Sequence, residues 1–113
     1  MTDDFYPCVI EKSPINGNFT LWLPEQEGLI EWVEEKYGGS QGYLWHELIR
    51  AASEIKNIDI ASAYIEPEGD VFVAYSRDVR VLEKMANLIK ELILRKALFL
   101  KMVERAESQG YLK

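Results

Sequence analysis

Phe19, Leu21 and Leu23 alternate with Thr20 and Trp22, and beyond Pro24 the apolar spacing changes from two to three or four. A period of two puts alternate side chains on one face of a strand, whereas the longer spacing lines one face of a helix. The same change recurs later in the chain. Val71-Phe72-Val73-Ala74-Tyr75 reads as a strand, and after Asp78 the residues Val79, Leu82, Met85, Ala86, Ile89, Leu92 and Ile93 form a helical stripe. A chain that twice passes from strand to helix period must pack hairpins against helices, which makes the class α+β.

The punctuation supplies the order. Residues 5–12 read as a first strand, and Asn16-Gly17 is a turn signal that joins it to a second strand over residues 19–23. Residues 25–37 follow as a helix, with Leu29, Trp32 and Val33 on its apolar side and Gly38-Gly39 as its stop. A second helix is expected over residues 43–56, with Trp45, Leu48, Ile49, Ala52 and Ile55 inward. Residues 58–65 and 71–75 make a second hairpin around the turn Glu66-Pro67-Glu68-Gly69-Asp70. Both alternating sets of residues 71–75 are apolar, so that strand is expected in the middle of the sheet and covered on both faces. The prediction is a four-stranded, mainly antiparallel sheet of two hairpins packed against helices, in the order ββααββα(α).

Asp78 is placed to cap the last helical region. One unbroken helix of ~30 residues would be ~45 Å long, so a bend is expected near Arg95-Lys96, or else an overhang. Leu92, Ile93, Leu94, Ala97, Leu98, Phe99 and Leu100 encircle the helix axis. That girdle is a candidate homodimer or partner contact over residues 92–103.

At 113 residues the chain fits one domain, residues 1–113. The single Cys8 cannot form an internal disulfide, which fits a reducing compartment. Residues 1–6 carry Asp3 and Asp4 and no basic residue, unlike a secretory signal. The most apolar stretch is broken by Arg95, Lys96 and Lys101; it is shorter than the ~20 residues that span a bilayer. The expected location is the cytoplasm. Residues 1–70 hold 14 acidic and 4 basic residues, and residues 71–113 hold 5 acidic and 9 basic. This asymmetry argues against nucleic acid as a ligand and favours a basic partner.

No catalytic set declares itself. His46 is the one histidine, and although it could pair with a carboxylate as an acid or base, no nucleophile and orienting group accompany it. A zinc site needs three or four Cys, His or carboxylate ligands, and none is spelled out here. Gly38-Gly39-Ser40-Gln41-Gly42 lacks the Lys-Ser/Thr of a phosphate loop and follows a helix, so it reads as a connector. Cys8 reads as a small buried hydrophobe. No cofactor is expected. Trp32, Trp45 and Tyr75 read as core aromatics. Trp22, on the strand face opposite Phe19, Leu21 and Leu23, reads as an exposed aromatic of the kind enriched at interfaces.

Four motifs carry a family resemblance: Pro7-Cys8-Val9-Ile10-Glu11, Asn18-Phe19-Thr20-Leu21, Gly42-Tyr43-Leu44-Trp45-His46-Glu47-Leu48, and Pro67-Glu68-Gly69-Asp70-Val71-Phe72-Val73-Ala74-Tyr75-Ser76. With these the chain resembles the immunity protein 51 family of bacterial polymorphic toxin systems. Two departures are visible. Glu68 is followed directly by Gly69, a turn one residue shorter than the family's, and Leu44 stands where an acidic residue is common. The resemblance implies a non-enzymatic inhibitor that covers the active site or another essential surface of a toxin domain. Many such toxins are nucleases with basic clefts, to which an acidic ligand is drawn.

The candidate binding residues are Glu27, Glu31, Glu34 and Glu35 on the first helix, Glu66, Glu68 and Asp70 in the second hairpin's turn, and Trp22. Two rival readings stand beside the toxin inhibitor: a structural or regulatory subunit associating through the apolar C-terminal helix, and a small enzyme built around His46.

Overall fold

The computed structural model describes residues 5–112; Asp3 and Asp4 lie outside them. The strands are β1 (Val9–Lys12), β2 (Phe19–Leu23), β3 (Tyr64–Ile65) and β4 (Phe72–Ser76), and the helices are α1 (Leu29–Tyr37), α2 (Gln41–Lys56), α3 (Val79–Leu94) and α4 (Lys96–Ser108). The strands form one antiparallel sheet in the order β1-β2-β4-β3. This is the α+β arrangement ββααββαα that the period changes predict.

One face of the sheet is the floor of the core. Leu21 and Leu23 of β2 and Phe72 and Ala74 of β4 are fully buried there. Above them lie Leu44, Trp45, Leu48 and Ile49 of α2 and Leu82, Met85 and Ile89 of α3, all inaccessible or nearly so. Asp78 caps α3 as expected, its Oδ1 accepting from the Arg80 amide at 3.0 Å.

The bend falls at Arg95, whose backbone is extended (φ −121°, ψ 93°). Its amide donates to the Glu91 carbonyl to close α3, and its carbonyl accepts from Phe99 to open α4, both at 2.9 Å. The fold's longest dimension is 39 Å, too short for a straight helix of ~45 Å. Turning back lets Phe99 meet Trp45 edge to face, with ring centroids 6.0 Å apart.

Several boundaries differ from the sequence expectation, each for a local reason. β1 begins at Val9 because Phe5–Pro7 form a turn closed by the Cys8 amide on the Phe5 carbonyl, and Pro7 has no N–H for a ladder. α1 begins at Leu29, with Gly28 at φ 96° as its cap. Within that first turn the Glu31 amide donates to the Gly28 carbonyl, and Glu31 Oε1 accepts from the Gly28 amide at 2.9 Å. The buried residues of α1 are Ile30 and Val33, so Trp32 is not a core residue. It is 43% exposed, with the Lys36 ammonium 5.3 Å from its ring centroid. α2 begins earlier than expected, at Gln41, and its last-turn Ile55 is exposed. β3 keeps only Tyr64 and Ile65. Ile58 and Ile60 instead pack on the core from an irregular segment, turned by the Ala61 amide bonding Asp59 Oδ1 and by Ala63 bonding the Ile60 carbonyl.

The middle strand is central, as its composition requires, but it is covered by helices on one face alone. Among the described residues no helix packs on the opposite face, where Val9, Trp22 and Tyr64 stand exposed. Both alternating sets of β4 are apolar because Val73, on that open face, is shielded to 3% exposure by the side chains around it.

Candidate partner-binding surface

The register builds the open face in two rows. Val9 pairs with Trp22 and Trp22 with Val73, while Glu11 pairs with Thr20, Thr20 with Tyr75 and Tyr75 with Tyr64. Side chains directly opposite across a strand pair share a face. This face therefore carries Trp22, Tyr64 and Tyr75 together, and the Tyr64 and Tyr75 rings stand 6.5 Å apart. Tyr75 is thus a residue of the open face rather than of the core. Its parity with Trp22 was readable, but only once the pairing of β2 with β4 is known.

A groove of about 400 Å³ opens on this face, lined by Thr20, Trp22, Pro24, Glu68, Val71, Val73 and Tyr75. Pro24 also lines a broader groove of about 700 Å³ with Tyr6, Pro7, Glu25, Gln26, Glu27 and Glu31. Trp22 and Glu68 are therefore joined through Pro24 to Glu27 and Glu31. Burial raises the Tyr75 phenol above its usual pKa, and the Glu66 and Glu68 carboxylates add to the rise. The negative field of the β3–β4 turn thus reaches this face.

The acidic segments of α1 and of the β3–β4 turn meet at Gln41, a residue 1% exposed. Its Nε2 donates to Glu34 Oε1 at 2.9 Å and to the Gln26 carbonyl at 2.7 Å. Its Oε1 accepts from the Gln26 amide at 2.7 Å, and its own amide donates to Asp70 Oδ1 at 3.2 Å. The neighbouring Gly42 amide donates to the Gly69 carbonyl at 3.1 Å. A Cβ on Gly42 would lie 2.6 Å from the Val71 carbonyl oxygen and 2.7 Å from that of Gly69. Glycine is what lets α2 sit against the turn.

The eight candidate residues thus divide by role. Glu31 and Glu34 hold local structure with one carboxylate oxygen each, and Asp70 anchors the start of α2. Glu27, Glu35, Glu66 and Glu68 are exposed and form no ion pair with any described cation. Trp22 is 43% exposed. Sequence reasoning passed over Glu25, which lines the broader groove, and Gln41, whose role no pattern of charge or hydropathy announces.

Other candidates are placed as follows. Cys8 is buried, and burial pushes its thiol up to about 12, so it is a packing residue. His46 is half-buried on α2. No three His, Cys, Asp or Glu side chains among the described residues are grouped as metal ligands would be. Among the same residues no helix is long and apolar enough to cross a membrane. The apolar girdle is divided: Leu92, Phe99, Met102 and Val103 are buried within the chain, while Ile93, Leu94, Ala97 and Leu100 remain exposed. An association surface there would draw on the second group alone.

No curated protein and no solved structure matches the chain. The family model of Immunity protein 51 matches residues 10–108, a span that holds the sheet from Ile10 onward, the Gly42–Trp45 helix start, the β3–β4 turn and both C-terminal helices. The chain belongs to the Immunity protein 51 family.

Proposed function

We propose that this protein is a non-enzymatic inhibitor that binds a toxin domain of a bacterial polymorphic or contact-dependent toxin system in the cytoplasm. It blocks the toxin by covering its active site or another essential surface. The family supports the immunity role. The observation that carries the finer reading is the continuity of surface from Glu25, Glu27 and Glu31 through Pro24 to Trp22 and Glu68. A partly exposed aromatic beside unneutralised carboxylates fits a protein partner with a basic surface, because aromatic anchors dominate binding energy and charge speeds encounter. A nuclease-type toxin, whose cleft must hold phosphates, presents such a surface.

The direct test is coexpression with the toxin domain encoded next to this chain, followed by stopped-flow association of the purified pair. Growth should be restored, and exchanging Glu25, Glu27 and Glu35 for lysine should slow association at least tenfold at low salt while flattening its salt dependence. Their side chains form no hydrogen bond within the described residues, unlike those of Glu31 and Glu34. Toxicity that persists with the folded protein present would reject the immunity role. Restored growth with unchanged kinetics would move the interface off Glu25, Glu27 and Glu35.

A further inference from the structure

The groove between Trp22 and Tyr75 has the chemistry of a receptor for one cationic side chain. Trp22 and Tyr75 lie diagonally across paired strands, since Trp22 faces Val73 and Thr20 faces Tyr75. Diagonal neighbours on one face stand about 7–8 Å apart at the backbone, within reach of aromatic side chains. The groove that both rings line, about 400 Å³, has room for one planar group, and Thr20, Val73 and Glu68 share its lining. Glu66 lies near enough to help raise the Tyr75 phenol.

The rest of the chain shows what is missing here. Lys12 covers Phe19 at 5.9 Å, Lys36 covers Trp32 and Tyr37 at 5.3 Å, and Arg50 lies 3.8 Å from the centre of the Tyr111 ring. No described cation stands over Trp22 or Tyr75, and neither Glu66 nor Glu68 is in an ion pair among the described residues. Arg80 and Arg95 are tied to Asp78 and Glu91 at the two ends of α3. The groove is apolar, negative in field and without a counter-ion among the described residues.

Resting on the toxin-binding reading, we infer that this groove takes an arginine side chain of the partner, its guanidinium between Trp22 and Tyr75 and bonded to Glu68. A guanidinium is planar, stacks on aromatic faces and offers a fork of donors to a carboxylate, whereas an ammonium is a strongly hydrated point charge.

The test needs no toxin. N-acetyl-arginine amide is titrated into the isotope-labelled protein and followed through the Trp22 indole N–H and the Val73 amide, with N-acetyl-citrulline amide and N-acetyl-lysine amide in parallel. Saturable shifts confined to this groove are expected with arginine, at least about fivefold weaker with lysine and absent with the uncharged citrulline. Glu68→Gln should weaken the arginine response about fivefold or more while leaving the remaining spectrum in place. No saturation, equal response to citrulline or lysine, or shifts spread evenly over the acidic surface would each overturn the assignment. Because the probe is the side chain alone, such a result leaves the toxin-binding reading to its own test. Conversely, a protein that fails to neutralise any toxin can still be scored here.

Discussion

Glu34 and Asp70 accept hydrogen bonds from one and the same residue, Gln41: the first from its side chain at 2.9 Å, the second from its backbone at 3.2 Å. Two carboxylates far apart in the chain are thereby held at the start of a single helix. Their repulsion is offset by Gln41's donors and by the positive end of the α2 dipole, which favours negative charge at its first turn. The acidic character of the surface is thus part of how α1, α2 and the β3–β4 turn are joined.

Gly42→Ala should be among the most damaging single-methyl changes in this chain. The new Cβ would meet the backbone oxygens of Val71 and Gly69 at 2.6 and 2.7 Å, and backbone cannot rotate away as a side chain can. The expected loss is about 1–3 kcal/mol, and it should pull α2 off the turn. Denaturant unfolding measures it; a loss below about 0.5 kcal/mol would mean that the contact relaxes freely.

Cys8 should be nearly inert in the folded protein. Burial raises its thiol from 9.0 to about 12, so the thiolate fraction at pH 8 falls by about a thousandfold. Iodoacetamide at pH 8 should therefore label the native chain very slowly and the urea-unfolded chain at the rate of a free cysteine. Comparable rates in the two states would show the thiol to be open to solvent.

Tyr37 gives the fold a weakness to strong alkali. Burial, together with the hydrogen bond its hydroxyl donates to Glu107 Oε2 at 2.7 Å, raises the phenol from 10.0 to about 12. A folded-state pKa above the unfolded one contributes stability that is complete below about pH 10 and lost as the pH rises through about 12. The wild type should lose stability across that window, and Tyr37→Phe should lose less of it while being slightly less stable at pH 8. Parallel stability curves for the two proteins between pH 9 and 12 would show that this hydroxyl does not titrate with unfolding.

The strand and helix alternation was legible because it depends on local spacing; the Arg95 bend was one of the two outcomes, bend or overhang, that the length of the last helical pattern left open. Less of the site could be read. Trp22 announced itself by sitting opposite Leu21 and Leu23 in period two. Tyr75 did not, since a strand with apolar residues in both sets looks the same whether the second set is under helices or under its own neighbours, as Val73 is. Trp32 misled because its spacing from Leu29 suits a helical stripe, whereas the buried line actually runs through Ile30 and Val33. Gln41 was silent. A buried polar side chain is set by what three separate segments bring to it, and no periodicity encodes that.

A sheet layered by helices on one side keeps two inventories of residues that scarcely overlap. Leu21, Leu23, Phe72 and Ala74 decide whether the chain folds, and Thr20, Trp22, Tyr64 and Tyr75 decide what its other face looks like. Because each strand alternates between the two, exposed residues of the outer face such as Trp22 and Tyr64 can be exchanged with the helix-side packing left in place, the 3% exposed Val73 being the exception. On the toxin-binding reading proposed above, that division leaves the outer face open to rewriting while the scaffold beneath it is kept.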